Sequence, residues 1–235
     1  MATLLLPGDE VPAKWLETKK KLKVVGPGLK VHTGQTLIAT VAGILNETET
    51  KIWVESAETR YIPRSGDFVL GTVTSQGADY YRVDVGGPQQ AMLGVLNFEG
   101  ATKRNKPNIK PGDLVYGQIL LASKNMEPEM TCVDNDGRAQ GMGYIKAKGP
   151  VMQMPLNFAR RLLRPDNKLI SELGKHLKFE IVVGMNGQIL ISANPQTVVT
   201  VHKVLERAFN TFESNYESLV ENVLSNANVV PMEQD

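Results

Sequence analysis

"GMNGQILIS", residues 184–192, is the stretch on which the reading of this chain turns. Gly184 and Gly187 enclose two residues, Met185 and Asn186, and such a spacing has two meanings. Between two helices, a glycine loop brings backbone N–H groups and a helix N-terminus to a phosphate, usually with a basic residue between the glycines. Between two strands, the same glycines only reverse the chain. Here "LKFEIVV" precedes and "QILISA" follows, both strand-like, and the enclosed residues are uncharged. Asn-Gly is also the preferred pair of a two-residue type I′ hairpin. The expectation is therefore a turn, with Gly184 and Gly187 serving backbone conformation.

Working outward, the segment before this hairpin changes from a period of two to one of 3.6 residues at about position 148. "LNFARRLLRPD" sets Leu156, Ala159 and Leu163, with Phe158 and Leu162, on one apolar stripe and Arg160, Arg161 and Arg164 on the opposite side. "KLISELGKH" follows Pro165 as a second short helix. After the hairpin, Asn194-Pro195 supplies a cap and a first-turn proline, and Val198, Val201, Leu205, Ala208, Phe209 and Phe212 continue at helical spacing. The tail from Glu213 reads as one more helix with Tyr216, Leu219, Val220 and Val223 inward. Two helices, two strands and a helix make a small α+β domain over 148–235.

From 61 to 147 strands dominate: "GDFVLGTVTS", "DYYRVDVGG", "QQAMLGVLNF", "GDLVYGQILLAS" and "EMTCVD". Gly66-Asp67-Phe68-Val69-Leu70-Gly71 is echoed by Gly112-Asp113-Leu114-Val115-Tyr116-Gly117, a glycine turn feeding a strand with a glycine inside it. Interior strand glycines mark sharp bends or bulges, as closing five short strands into a small OB-type barrel requires. Residues 1–60 read as a small β unit with hairpin punctuation at Gly26-Pro27-Gly28 and a strand in "KIWVES". The basic run "KWLETKKKLKV" within it reads as a solvated lysine face.

A formal net charge of +1 excludes binding of nucleic acid through overall positive charge, so such a partner needs local basic patches. The lone cysteine, Cys132, cannot form an internal disulfide, and "MATLLLPGDEVP" is too short an apolar run for a signal peptide or membrane span. A reducing compartment, cytosol or nucleus, is expected.

The densest basic patch is "ATKRNKPNIKPG", where Lys103, Arg104, Lys106 and Lys110 fall within eight positions with no acid between them. Glycine and proline keep it a mobile loop at the barrel rim, between the third and fourth strands. Phosphates demand charge within reach rather than a fixed bonding pattern, so the loop reads as an RNA contact or, alternatively, as a solvated loop. Tyr80 and Tyr81 precede Arg82, and since strand neighbours face opposite ways only one tyrosine can serve a stacking surface. Backbone tracking by Arg82 is expected over base stacking. "DNDGRAQGMG" lacks the spaced acids of a calcium loop and reads as a flexible loop presenting Arg138. Asp134 and Asp136 read as turn formers, or as ligands for magnesium. His32, His176 and His202 are scattered, and neither a zinc-spaced pair nor a P-loop occurs, so no catalytic residue, metal or cofactor is expected.

Those segments carry a resemblance. "GDFVLGTV" and "KPGDLVYGQI" resemble the first and fourth strands of an S1 domain, and the last third resembles a KH domain whose glycine loop reads G-x-N-G. In this order and length, with "RYIPRSGDFVLG", "MEPEMTCVDNDGRAQGMG" and "EIVVGMNGQI", the chain is similar to RNA-binding cap subunits of the exosome. The resemblance implies a subunit without catalytic activity that stabilises a ring of RNase PH-like subunits beside other cap subunits. It further implies guidance of RNA into the central channel, toward an associated 3'-5' exoribonuclease, for degradation and rRNA processing in nucleus, nucleolus and cytoplasm. It places Asn186 at the contact between the S1 and KH parts, bonding a neighbouring loop. The alternatives are a free-standing RNA-binding protein and a nuclease in its own right.

Overall fold

The computed structural model describes residues 3–11, 24–32, 36–48, 51–56, 60–123, 125–165, 167–210 and 216–226. The run "KWLETKKKLKV" up to Lys23, and Phe212, lie outside the described residues. The chain divides into two compact units, Met1–Thr59 and Arg60–Asp235.

Among the described residues the first unit is all β. Strands β1 (Thr3–Leu5), β2 (Val24–Val25), β5 (Gly43–Glu47) and β6 (Lys51–Glu55) form one sheet in the order β1-β5-β6-β2. β3 (Leu29–Val31) and β4 (Leu37–Ala39) form a separate antiparallel pair. Alternation along "KIWVE" puts Ile52 and Val54 inward, where they pack with Leu5, Val11, Leu37, Ala39 and Leu45.

The second unit opens with the barrel. β7 (Phe68–Gln76), β8 (Tyr80–Asp84), β9 (Ala91–Gly94), β10 (Leu114–Ser123) and β11 (Met126–Thr131) pair in the cyclic order β7-β8-β9-β11-β10, and β10 returns to β7. All pairs are antiparallel except β9 with β11. The closed five-stranded barrel expected from the sequence is present, filled by Val69, Val73, Tyr81, Val83, Leu93, Val115, Ile119 and Met130. β12 (Gly143–Tyr144) adds an edge to β10.

The expected link between interior glycines and bulges does not hold. The register shifts lie between Val73 and Ser75 on β7 and between Ile119 and Ser123 on β10, beyond Gly71 and Gly117. The glycines instead admit a close neighbour. A Cβ on Gly117 would lie 2.5 Å from the Thr131 carbonyl oxygen and 2.7 Å from the Met130 methyl, and one on Gly71 would overlap the Val83 side chain.

The helical third follows: β13 (Val151–Gln153), α1 (Leu156–Leu162), α2 (Leu169–His176), β14 (Glu180–Val183), β15 (Gln188–Ser192), α3 (Pro195–Asn210) and α4 (Tyr216–Asn226). Its antiparallel sheet has the order β13-β15-β14, so the glycine motif joins two hydrogen-bonded strands. β13 escapes sequence reading because three residues carry no period. Leu173, Val183, Ile189, Ile191, Val201, Leu205 and Ala208 form the core, with Leu219, Val220 and Val223 of α4 closing it.

Two helix assignments need correction. Leu163 is the residue at which α1 ends and is 38 % exposed, because the helix stops before its turn comes round to the core. Arg161 is not on a solvated face: its guanidinium donates to the Ala208 carbonyl at 3.2 Å and lies 5.2 Å from the Phe158 ring centre, bridging α1 to α3. Phe209 is half-exposed and meets Phe158 edge to face. Leu156, at the start of α1, belongs to the barrel core, so the helical third and the barrel share apolar packing.

Gly117→Ala is expected to destabilise the second unit by about 1–3 kcal/mol through overpacking. Denaturant unfolding followed by circular dichroism measures it; tryptophan fluorescence does not, because Trp15 and Trp53 both belong to the first unit.

Candidate nucleic-acid interface

The glycine motif closes a three-residue loop. The Gly184 N–H donates to the Gln188 carbonyl at 2.8 Å, and the Gly187 N–H donates to the Gly184 carbonyl at 3.0 Å. Among the described residues Gln140 alone is a non-glycine with positive φ, so Met185 and Asn186 both have negative φ, while Gly187 sits at φ +81°. That is a type I turn followed by a left-handed glycine, not the type I′ turn, which needs positive φ at both central residues. The extra residue lets the loop reach the barrel.

Docking is through polar groups. The Met185 N–H donates to the Phe68 carbonyl at 2.8 Å, and Asn186 is 1 % exposed. Its side-chain amide donates to the carbonyls of Leu70 (2.7 Å) and Val85 (2.8 Å), and its Oδ1 accepts from the Leu70 N–H at 3.4 Å. The partners are Leu70 of β7 and Val85 at the start of the β8–β9 loop, so the expected bond to a neighbouring loop is made together with two to a strand. Gly184 is needed because a Cβ there would overlap Asn186 Oδ1 and come within 2.7 Å of the Leu70 nitrogen. Gly187 is needed twice over: for its φ, and because a Cβ would overlap the Met154 carbonyl oxygen. With its centre buried, this loop cannot present N–H groups to a phosphate. The connection between α1 and α2, where a clamping loop would lie, carries no glycine.

The basic residues gather instead at the barrel rim. Thr102 and Asn105 exchange two backbone hydrogen bonds, 3.0 and 3.1 Å, so Lys103 and Arg104 occupy the tip of a tight turn. The loop is less mobile than its composition suggests. Ile109 is buried, the buried Tyr81 donates its hydroxyl to the Pro107 carbonyl at 2.5 Å, and Lys106 Nζ donates to the Ala78 carbonyl at 2.9 Å. Lys106 also lies 3.8 Å from the Asp79 carboxylate, so it tethers the loop to the β7–β8 turn. Lys110 is exposed where the loop leads into β10, its N–H bonded to Asp113.

Arg82 and Arg138 stand apart from that tip. The Arg82 guanidinium pairs with Glu127 at 3.1 Å and lies 6.0 Å from the centre of the Tyr80 ring, with Tyr80 exposed and Tyr81 wholly buried. A hydrogen bond to Tyr80 and the Glu127 carboxylate hold its pKa above the usual guanidinium value. Arg138 is exposed on a loop organised by Asp134, whose Oδ1 accepts from the N–H groups of Asp136 (2.9 Å) and Arg138 (2.8 Å). The Arg138 N–H foremost draws the Asp134 pKa below its ordinary range. Asp134 is a turn former, as expected. Burial pushes the Cys132 thiol up to about 12, which leaves it protonated and unreactive at neutral pH.

An S1-type barrel joined to a KH-like α+β domain through a buried glycine turn defines the class: an S1–KH protein. Family models match in the same order, the N-terminal domain named for the exosome complex exonuclease Rrp40 at 24–60, the S1 domain of exosome complex component RRP40 at 61–143 and a KH domain at 149–197. The chain is 46 % identical over 191 residues to the human exosome complex component RRP40, covering 78 % of this chain and 69 % of that one. It is 38 % identical to the Drosophila melanogaster protein of the same name (82 % and 83 % covered) and 32 % to that of Saccharomyces cerevisiae (81 % and 82 %). The chain belongs to the RRP40 family of exosome complex components.

Asn186→Ala, which strands the Leu70 and Val85 carbonyls, is expected to cost roughly 2–4 kcal/mol, and Gly187→Ala more than about 1 kcal/mol. Thermal melting by circular dichroism checks both. An unchanged melt for either would show that the turn does not hold the second unit together.

Proposed function

We propose that the chain is a non-catalytic, RNA-binding cap subunit of the RNA exosome. In that role it steadies the RNase PH-like ring beside other cap subunits and passes RNA toward the channel for an associated 3'-5' exoribonuclease, in rRNA processing and RNA degradation. The observation that carries the reading is the rim turn, where Lys103 and Arg104 project from an S1 barrel whose KH-like neighbour has its glycine motif buried. RNA contact then falls to the barrel. A nucleus and nucleolus location, with a cytoplasmic share, goes with this role; no helix of the described residues is long and apolar enough to cross a membrane.

The family of the N-terminal domain is named for an exonuclease. Among the described residues no three of His, Cys, Asp and Glu come together. Lys106 and Arg82, both engaged with carboxylates, are weaker phosphate contacts than Lys103 and Arg104.

Mixing the purified chain with ring subunits and measuring the mass of the product tests the assembly: a stable complex is expected, and a chain that stays free would sink the cap reading. Replacing Lys103 and Arg104 together with alanine is expected to flatten the slope of log K against log[salt] for single-stranded RNA by about 1.4. An unchanged slope would take the turn off the RNA path. The purified chain is also expected to leave RNA intact with magnesium, manganese or phosphate present, and degradation that survives a second purification would overturn the non-catalytic assignment.

A further inference from the structure

At the foot of the rim turn lies a cleft of about 570 Å3, lined by Asp79, Gly94, Val95, Leu96, Asn97, Lys103 and Lys106. Its size falls within the range of small-ligand sites, ~300–1,000 Å3. The lining is divided by chemistry. Leu96 is 48 % exposed and supplies an apolar surface just past the end of β9. Lys103 brings a cation to one side, next to Arg104 at the tip of the turn.

Lys106 adds a second cation, and the other polar side chains, Asp79 and Asn97, carry acceptor oxygens. The Asn97 side-chain amide donates one of its two N–H groups to the Met130 carbonyl at 3.4 Å, and its Oδ1 carries acceptor lone pairs. The Asp79 carboxylate meets Lys106 only at 3.8 Å and has most of its surface in solvent. A basic mouth, an apolar surface and a pair of acceptors are the complement of one nucleotide: phosphate outside, base face on Leu96, and N–H donors of the base edge toward Asp79 and Asn97.

From this juxtaposition we infer that the cleft receives a single unpaired base of RNA and favours bases that carry an exocyclic amino group over uracil. Uracil offers one N–H between two carbonyl oxygens, and a carboxylate repels those oxygens. Cytosine offers two N–H donors on its N4 amino group at one end of the edge, with the N3 and O2 acceptors beyond it. The inference rests on the RNA-binding reading above and adds to it a base-dependent contact that phosphate tracking lacks.

The test is fluorescence anisotropy on the full chain with three labelled oligomers of equal length and charge: oligocytidine, oligouridine and an abasic ribose-phosphate chain. Affinity is expected to fall in that order. Leu96→Ala is expected to weaken oligocytidine binding about three- to tenfold while leaving abasic binding and the salt slope unchanged. Asp79→Ala is expected to erase the preference for oligocytidine over oligouridine; Asp79 and Leu96 are both exposed, so neither change threatens folding. Equal affinity for the abasic and base-bearing oligomers would overturn the cleft while leaving phosphate binding in place. Equal affinity for oligocytidine and oligouridine would overturn the role of the acceptors. Failure of all three oligomers to bind at low salt would overturn the RNA-binding reading itself.

Discussion

The second unit of this protein depends on one buried amide. Asn186 sits where an exposed residue would be ordinary, at the tip of a hairpin, yet its donors and acceptor are all satisfied by the backbone of the barrel. A buried polar group without partners costs several times what a satisfied one contributes, so the position tolerates only a side chain with this pattern of donors and acceptor. The two glycines beside it follow from the same constraint. Gly184 clears space for the amide oxygen, and Gly187 takes the left-handed conformation that brings the chain back to β15 beneath the Met154 carbonyl.

This use of the motif removes the glycine turn as a phosphate clamp. A glycine loop that contacts phosphates has its N–H groups turned outward, whereas here the Met185 N–H is spent on Phe68 and the Gly187 N–H on Gly184. Joined by Asn186 and by Leu156, which leaves its own domain to pack into the barrel core, the two domains form one compact unit. The barrel rim keeps the cations at reach, with Lys106 holding the loop so that Lys103 and Arg104 stand clear at its tip.

Much of this was legible in the sequence because burial imposes a period. The alternation in "KIWVE" and the 3.6-residue stripes of α3 and α4 mark their elements directly. What the sequence hid depended on neighbours distant in the chain. The turn at Asn186 is three residues rather than two because it reaches for β7, which local Asn-Gly preference cannot reveal. Arg161 reads as a surface charge until α3 brings the Ala208 carbonyl over it, and Leu163 reads as core until the helix ends beneath it. The cleft below Lys103 is likewise invisible in the chain order, since Asp79 comes from the β7–β8 connection and Leu96 and Lys103 from the one between β9 and β10.

The distance along the chain between Asn186 and its partners has a consequence during synthesis. The barrel strands and β12 are complete once Tyr144 has left the ribosome, but the side chain that satisfies Leu70 and Val85 lies about 40 residues further on. At ~5–20 residues per second the new barrel waits on the order of 2–8 seconds with those carbonyls open to water. Synthesis therefore delivers every barrel strand before the side chain that satisfies Leu70 and Val85, and the glycine turn completes the second unit from its C-terminal side.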